Sequence, residues 1–449
     1  MKKKLISLIL ATALVVPGCA GGGKITNVED LDVKKYEDNK KIVMMADLPP
    51  SPDEYNMKLY KEAGFNTYIM TEDWTPIKNG NSTDYFAAVE YVGSQGLDVF
   101  IRGYDGSSCP GYFEEKFSGK NFLDYEPIKG IYLIDEPTAN KFDDIKNVYV
   151  PWYNENYSQD LYWHLNLLPS YSSTFGLTAE EMASGEPVYE IYMNKYVEEI
   201  LKNVQGAKDI SLDHYPLRTG REGNYLSNMW LYDLMIAGQI AKAQNCDFNV
   251  CIQSFDGGYR LPESATDIKF QMYTSMAFGA NMFEFFCYCS NTALKFNALL
   301  TNLQPTDLYY YVKEAIAEIA SFDHVFLSFD WQGTMAINGK NNATSNSAFD
   351  VITDKTLKEA SGIKSVSALE DCLIGSFKDA DGNDGYLIVN YGEPTEGKKN
   401  TVSLEFEKAA GVAVYRYGIE TVYGIASNKT DLELDAGEGV FLIPLSEKE

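Results

Sequence analysis

Short apolar runs recur along the first two thirds of the chain, and each is followed by polar residues. The eight runs are residues 41–48, 66–70, 97–101, 130–134, 161–165, 209–212, 248–252 and 282–288. Amphipathic segments that predict helices lie between them, at residues 53–63, 85–95, 187–203, 225–243 and 265–278. Alternating helices and near-continuous apolar strands are typical of a parallel sheet covered on both faces. Eight such units within about 250 residues predict a closed (β/α)8 barrel, the TIM barrel, completed by a helix over residues 307–320.

The pattern changes after residue 328, where short strands alternate with turn signals. We predict strands at residues 333–337, 372–378, 386–391, 401–406, 411–417 and 439–444. The acid-rich segment 379–385 lies between two of these strands. Asp384 stands where an EF-hand calcium loop needs glycine, so we interpret this segment as a hairpin turn. The prediction is a barrel catalytic domain over residues 39–328 and a C-terminal antiparallel β-sandwich domain over residues 329–449.

The N-terminus has the features of a bacterial lipoprotein signal. Lysines at positions 2–4 precede an apolar stretch at 5–16 that is too short to span a bilayer as a mature helix. Residues 16–19, Val-Pro-Gly-Cys, then resemble a lipobox, whose cysteine is acylated and becomes the new first residue. We predict a signal peptide at 1–18, a lipidated Cys19 and a flexible tether at 19–38. The mature protein would be held on the outer face of a bacterial membrane by this lipid alone.

Charge and cysteine content exclude several classes of protein. A net charge of −26 argues against nucleic acid as a partner, because phosphate contacts need clustered Lys and Arg. No glycine-rich phosphate loop follows the first strand, which disfavours nucleotide binding. Apart from Cys19, the cysteines form no CxxC pair, and the chain has three histidines, so no zinc pattern is present. We predict buried free thiols rather than disulfides, and neither a metal nor an organic cofactor.

In a TIM barrel, the carboxyl ends of all eight strands lie at the same end of the barrel, called its mouth, and the active site forms there. In this sequence, polar and aromatic residues concentrate at the carboxyl ends of the predicted strands, while the strand interiors are apolar. The candidates are Asp47, Trp74, Arg102, Asp135, Glu136, His164, Asn166, Asp213, Tyr215, Gln253 and Tyr288. All except the three acids Asp135, Glu136 and Asp213 are predicted to bind substrate rather than to react with it.

The fourth predicted strand ends on Asp135 and Glu136, directly before Pro137. Burial at the edge of an apolar strand raises the pKa of a carboxyl, which suits Glu136 to act as a general acid near neutrality. Here the sequence resembles the retaining barrel glycoside hydrolases of clan A, which carry their acid/base Glu before Pro at the end of the fourth strand. The resemblance implies the same catalytic role for Glu136.

Other stretches extend the resemblance over roughly residues 40–330. They are residues 166–169 (Asn-Leu-Leu-Pro), 213–216 (Asp-His-Tyr-Pro), 252–254 (Ile-Gln-Ser), 259–260 (Tyr-Arg) and 271–288. Together they look like a group of bacterial glycoside hydrolase-like barrel proteins that are distantly similar to the family 42 β-galactosidases. The similarity implies a surface-anchored glycoside hydrolase that cleaves an oligo- or polysaccharide.

The chain departs from clan A at the end of the seventh strand, where those enzymes place a nucleophilic Glu and this sequence has Gln253. An amide cannot form the glycosyl ester that a carboxylate forms. Three hypotheses stay open. Asp213 is the leading second carboxylate. Alternatively, Asp135 orients a substrate acetamido group, as in the similar Asp-Glu pair of family 20 and family 123 hexosaminidases, with Tyr215 as a second donor. In the third hypothesis, the barrel binds glycan without cleaving it.

Several candidates have alternative roles. The second hypothesis needs a bend at the end of the fourth strand, because adjacent strand residues otherwise point to opposite faces. Arg102 either binds a substrate carboxylate or pairs with Asp47 or Asp105. Glu284, within the eighth strand, is expected to face outward. A polysaccharide lyase, with Arg102 neutralising a uronate and Tyr215 as base, is a third function class.

Overall fold

A computed structural model describes residues 25–71, 82–102, 120–290 and 296–449 of the chain. Its main sheet consists of β1 (Val43–Ala46), β2 (Thr67–Met70), β3 (Asp98–Arg102), β4 (Ile128–Asp135), β5 (Tyr162–Leu167), β6 (Asp209–Leu212), β7 (Asp247–Gln253) and β8 (Met282–Phe286). The strands follow the order β1-β8-β7-β6-β5-β4-β3-β2, and all neighbours are parallel. The predicted (β/α)8 barrel is confirmed.

Asn66, the residue before β2, brings the two ends of this sheet together. Its backbone N–H donates to the Met44 carbonyl over 3.0 Å, and its Oδ1 accepts from the Met44 N–H over 2.9 Å. Its Nδ2 also donates to the Ile42 carbonyl over 2.8 Å. One asparagine therefore holds β1 beside β2, where the other strands use ladder hydrogen bonds.

Helices follow most of the strands and cover the outside of the barrel. They are Glu54–Glu62, Ser82–Ser94, Phe142–Asp144 continuing through the π-helix Ile145–Tyr149 into Val150–Asn156, Ala179–Met182, Val188–Glu199, Trp230–Gln244, Ala265–Ala277, Asp307–Ala320, Asp323–Phe326 and Ser347–Asp350. The helix predicted at residues 225–243 begins later, at Trp230. The reason is a two-stranded hairpin, Leu217–Gly220 paired with Gly223–Leu226, which occupies the preceding residues. Within the described ranges, no helix is long and apolar enough to cross a bilayer.

The C-terminal region contains two antiparallel sheets. Its strands are β9 (Phe329–Ile337), β10 (Ile363–Ala368), β11 (Cys372–Asp379), β12 (Asp384–Asn390), β13 (Asn400–Phe406), β14 (Gly411–Arg416), β15 (Ile419–Gly424), β16 (Lys429–Leu434) and β17 (Gly439–Leu445). Six form a sheet in the order β9-β11-β12-β17-β14-β15, and three form a second sheet in the order β10-β13-β16. The predicted β-sandwich is thereby confirmed, and segment 379–385 is the hairpin between β11 and β12.

The central strands β11 and β12 of the six-stranded sheet are buried on both faces. Ile374 and Ile388 point into the core between the two sheets. Their neighbours Leu373 and Leu387 point the other way and join the core shared with the barrel, where helix Ala265–Ala277 packs on β11 and β12. Because successive strand residues alternate between faces, one apolar strand supplies both cores. The C-terminal region is thus packed on the barrel.

The cysteines in the described residues are free thiols. Cys251, Cys287, Cys289 and Cys372 are buried and Cys246 is partly buried, and none of them forms a disulfide. This confirms the predicted free thiols for the part of the chain that the structure describes. Two further predicted features, the lipidated Cys19 and the signal peptide before it, lie outside the described residues.

Candidate active site

A cavity of about 480 Å³ opens at the carboxyl ends of the barrel strands. Six of the candidates from the sequence line it: Asp47, Asp135, Glu136, Asn166, Asp213 and Tyr215. Asp47 follows β1, Asp135 and Glu136 lie at the end of β4, Asn166 lies on β5, and Asp213 and Tyr215 follow β6. Four different strands therefore bring them together. Trp74, another candidate, lies outside the described residues.

A backbone bend at the end of β4 brings Asp135 and Glu136 into the same cavity. Glu136 has φ +45°, a left-handed conformation that costs a residue with a side chain about 1–3 kcal/mol. Its N–H still donates to the Asn166 carbonyl on β5 over 3.0 Å, so the chain turns without leaving the barrel. In a regular strand, Glu136 would point away from Asp135. The bend supplies the geometry that the hexosaminidase-like hypothesis requires.

Asp135 is held by three neighbours. Its Oδ2 accepts from Arg102 Nη2 over 2.9 Å, and its Oδ1 accepts from the Tyr132 hydroxyl over 3.1 Å and from Asn166 Nδ2 over 3.2 Å. The arginine and the two further donors fix the position of this carboxyl group. Asp135 therefore lies beside Glu136 in a fixed orientation.

Glu136 has a very different environment. Its side chain is open to the cavity, and no hydrogen bond to its carboxyl occurs among the described residues. The surrounding cavity walls displace water, and this burial together with the charge of Asp135 raises the pKa of Glu136 to about 7. A carboxyl that titrates near neutrality and is free of partners can donate a proton to a bound ligand.

Asp213 is a second acid of the cavity. Its Oδ1 is buried and has no hydrogen-bond partner among the described residues. Burial raises the pKa of Asp213 well above its ordinary value, and the charges of Glu136 and Asp135 add to this effect, while a hydrogen bond from Tyr215 opposes it. The charge of Glu136 thus contributes to the raised pKa of Asp213.

Below the cavity, His164 lies inside the barrel rather than among the residues that line it. Its Nδ1 is 2.6 Å from Asp209 Oδ2, and its Nε2 is 3.4 Å from Glu284 Oε2. Burial lowers the pKa of His164, but the charges of the two acids outweigh it and raise the pKa to about 10. The prediction that His164 binds substrate is wrong, because both ring nitrogens face buried acids.

Glu284 is a cavity residue that sequence reasoning placed incorrectly. It was expected to face outward from β8, yet it points into the barrel and lines the floor of the cavity. The flanking Phe283 and Phe285 belong to the core outside the strands. Side chains alternate between the two faces of β8. Because Phe283 and Phe285 face the helices, Glu284 between them must face the lumen, so the alternation in the sequence could have predicted its inward position.

Arg102 is occupied by acids and does not reach the ligand space. Its Nη1 lies 2.7 Å from Asp47 Oδ2 and its Nη2 lies 2.9 Å from Asp135 Oδ2, while its guanidinium stacks on Tyr132 at 4.3 Å. The predicted substrate-binding role is corrected to the alternative, a structural pair with Asp47. Both terminal nitrogens of this arginine already pair with acids, which disfavours the lyase hypothesis.

Gln253 also points away from the cavity. Its Oε1 accepts from the Leu217 N–H over 2.9 Å, and its Nε2 donates to the carbonyls of Leu217 (3.2 Å) and Arg260 (2.6 Å). The predicted contact with substrate is therefore wrong, because backbone groups use this amide completely. The residue of β7 that does line the cavity is Cys251, two positions earlier.

Tyr288 lies in the core between the barrel strands and the first helix. It is fully buried, with its ring 5.0 Å from that of Tyr60 and 5.6 Å from that of Phe65. It cannot form a sugar platform, so this prediction is corrected. The aromatic rings that do line the cavity belong to Tyr132 on β4 and, on the side of β5 to β8, to Tyr171, Tyr215, Tyr259 and Phe286.

The cavity thus combines acids on its floor with aromatic rings on one wall. Flat aromatic rings provide the apolar contact that the faces of sugar rings need, and their hydroxyls provide polar contacts. Among the described residues, no three His, Cys, Asp or Glu side chains are arranged to hold a metal ion. The chemistry that these residues can perform is proton transfer and carboxylate catalysis.

Known structures share this fold at very low sequence identity. A β-galactosidase from Bacillus circulans sp. alkalophilus matches with a TM-score of 0.50 and 8% identity, covering 91% of this chain and 100% of that one. A candidate α-galactosidase from Bacteroides fragilis NCTC 9343 has a TM-score of 0.47 and 9% identity, with coverage of 91% and 79%. An Anoxybacillus α-amylase has a TM-score of 0.37 and 12% identity, with coverage of 88% and 89%.

No protein-family model matches the chain, and no curated protein matches it. The similarity to the β-galactosidase extends over the barrel and the C-terminal sheets. The chain therefore shares with that β-galactosidase the fold of a (β/α)8 barrel followed by a β-sandwich. At such identities the likeness establishes the fold, and the chemistry has to be argued from the cavity.

Proposed function

We propose that this protein is a glycoside hydrolase in which Glu136 is the general acid and Asp213 the second carboxylate. One observation carries the proposal: Glu136 and Asp213, two acids with raised pKa values, share a cavity that has aromatic walls. The carboxyl of Glu136 has no hydrogen-bond partner among the described residues, and the buried Oδ1 of Asp213 has none. Two acids with perturbed pKa values that face one cavity indicate a catalytic use.

In the proposed mechanism, Glu136 donates its proton to the glycosidic oxygen as the bond to the sugar breaks. Positive charge develops on the sugar ring, and this charge favours the ionised form of Asp213. Asp213 then either accepts a proton from an attacking water or attacks the sugar carbon itself. In the second route, a water that gives its proton to the now ionised Glu136 hydrolyses the resulting glycosyl ester and frees Asp213. The first route inverts the configuration of the sugar and the second retains it.

A second route uses Asp135 in place of Asp213. The left-handed bend places Asp135 beside Glu136, and Arg102, Tyr132 and Asn166 fix its orientation. A carboxylate held in this way could orient the acetamido group of an N-acetylated substrate. This route predicts activity on N-acetylhexosaminides alone, whereas the route through Asp213 has no such requirement.

A glycan-binding protein without catalysis is the competing function. It is favoured by Gln253, because no carboxylate occupies the end of β7 and the amide there is used by the backbone. The two functions differ in one requirement. A hydrolase needs the proton of Glu136, whereas a binding protein needs only the shape and the hydrogen bonds of the cavity.

The test is product release from a panel of neutral, acidic and N-acetylated oligosaccharides, comparing the wild type with Glu136→Gln. We expect the wild type to release sugar and the variant to be slower by about 10²- to 10⁴-fold, as for loss of a general acid. The matched control is Glu186→Gln, an exposed site far along the chain from the strand ends. Binding of a glycan without release by the wild type would establish the competing function.

We also propose that the protein is anchored to the outer face of a bacterial membrane through a lipid on Cys19. The support is the sequence of residues 1–24 alone: a basic start, a short apolar stretch, a lipobox and a glycine-rich tether. Metabolic labelling with a fatty-acid analogue should mark the wild type and leave Cys19→Ser unlabelled. Labelling of the Ser variant would refute the anchor.

A further inference from the structure

An arginine packs against two of the tyrosines that line the cavity. Arg218, on the hairpin strand Leu217–Gly220, has its guanidinium carbon 4.3 Å from the ring centre of Tyr259 and 4.9 Å from that of Tyr171. The two tyrosine hydroxyls are 3.3 Å apart, and both tyrosines line the cavity. The positive charge is therefore part of the aromatic wall.

Arg218 has no acidic partner among the residues that the structure describes. By contrast, Arg102, Arg260 and Arg416 each form an ion pair with a carboxylate. The difference is notable in a chain with a net charge of −26, where acids are abundant. Stacking on ring faces uses the plane of a guanidinium and leaves the N–H groups at its edge available to a ligand.

The stack is fixed from both sides by Gln253. Its amide binds the backbone of Leu217, which precedes Arg218, and the carbonyl of Arg260, which follows Tyr259. The Arg260 side chain is itself held by Asp267 at 2.8 Å and by Glu393 of the C-terminal sandwich at 2.8 Å. A site positioned in this way needs little ordering when a ligand binds, which favours affinity.

We propose that Arg218, packed against Tyr171 and Tyr259, recognises an anionic group on the glycan, a carboxylate or a sulfate. The inference rests on the proposed function and names its substrate class: an acidic oligo- or polysaccharide. Charges in the cavity orient such a ligand, because Asp135, Glu136 and Asp213 on the floor repel an anion while Arg218 beside the aromatic wall attracts it. The charged group thus lies next to Arg218, and a neutral ring lies over the acids.

The test measures binding by calorimetry, with Glu136→Gln as the parent so that no probe is cleaved. The probes are a neutral galacto-oligosaccharide, an oligogalacturonate and a sulfated galacto-oligosaccharide of equal length, together with the same three in the gluco series. We expect at least one anionic probe to bind the parent more tightly than its neutral counterpart. Adding Arg218→Gln should weaken that binding about 10- to 100-fold, the worth of a charge-assisted hydrogen bond.

Two further variants distinguish a specific contact of Arg218 with the anion from a nonspecific effect of positive charge and from a loss of local structure. Arg221→Gln removes the same charge from an exposed position at the tip of the same hairpin, and should leave the affinity unchanged. Arg218→Lys keeps the charge but loses the planar fork, and should retain part of the affinity. Salt should weaken anion binding in the parent and have little effect in Arg218→Gln.

The carboxylate and sulfate probes distinguish the two sources of the anionic group. The proposal is overturned if every anionic probe binds no more tightly than its neutral counterpart, or if Arg221→Gln weakens binding as much as Arg218→Gln. Binding is measured in Glu136→Gln, so it does not depend on catalysis. If the anionic probes bind but the wild type hydrolyses none of them, the proposed hydrolase function is refuted and the anion subsite is not. Hydrolysis of neutral glycans without any anion preference would refute the subsite alone.

Discussion

The barrel holds two groups of charged residues, one in the lumen and one at the mouth, and they are built in opposite ways. In the lumen, His164 lies between Asp209 and Glu284, with all three side chains buried. At the mouth, Glu136 and Asp213 share a cavity, and the buried Oδ1 of Asp213 has no hydrogen-bond partner among the described residues. In the lumen, the paired acids raise the pKa of His164, whereas at the mouth burial raises the pKa values of Glu136 and Asp213.

A perturbed pKa therefore has two different meanings in this barrel. A charge inside the barrel requires a counter-charge, because its desolvation would otherwise destabilise the fold. A buried acid that faces the cavity without a full set of partners costs stability and is a candidate for ligand chemistry. Removing His164 from the lumen should therefore destabilise the protein, whereas removing the charge of Asp213 should stabilise it and abolish function.

The largest effect is expected for His164→Ala. This change leaves Asp209 and Glu284 buried without their cation, which should reduce the free energy of unfolding by about 3–5 kcal/mol. Urea denaturation followed by circular dichroism measures it. The control is His324→Ala, whose ring is partly exposed and 3.8 Å from Asp323, and which should cost less than about 1 kcal/mol. Equal losses in the two variants would contradict the lumen pairing.

A smaller loss is expected for Gln253→Glu, the change that restores a carboxylate at the end of β7. The new side chain cannot donate to the carbonyls of Leu217 and Arg260, so stability should fall by about 2 kcal/mol. No gain of hydrolysis should follow, since position 253 faces away from the cavity. The exposed Gln205→Glu serves as the control. A stable and more active Gln253→Glu would show that this residue does reach the ligand.

Asp213→Asn should change stability in the opposite direction. The folded protein raises the pKa of Asp213 above its ordinary value of 3.8, so this acid costs stability at every pH above that value. The amide removes the cost, and we expect a gain of about 1 kcal/mol near neutral pH together with a large loss of activity. Below pH 3.8 the gain should vanish, because Asp213 is then protonated in both states. A gain that does not depend on pH would argue against this cause.

The smallest effect concerns the pH profile. Activity should decline as the pH rises above about 7, where Glu136 loses the proton it donates. Asp135→Asn removes the neighbouring negative charge and should lower the pKa of Glu136, moving this decline to lower pH. Measuring kcat/KM against pH for both proteins checks the shift. A decline at the same pH in both would exclude Asp135 as a cause of the raised pKa.

The sequence by itself predicted the architecture well, because burial patterns are local. The run predicted at residues 130–134 lies within β4, and residues 209–212 coincide with β6 (Asp209–Leu212). Strands covered on both faces must be apolar at nearly every position, so their places along the chain can be found from composition alone. Glu136 and Asp213 were identified for the same reason, as acids at the ends of apolar runs.

The direction in which each side chain points depends on contacts that form only in the folded barrel. The left-handed bend at Glu136, the turn of Gln253 toward Leu217 and Arg260, and the inward position of Glu284 each depend on contacts with distant parts of the chain. The burial of Tyr288 against Tyr60 and Phe65 is of the same kind. Apolar periodicity specifies the interior of a strand, but beyond its end the direction of a side chain is set by partners that the local sequence does not contain.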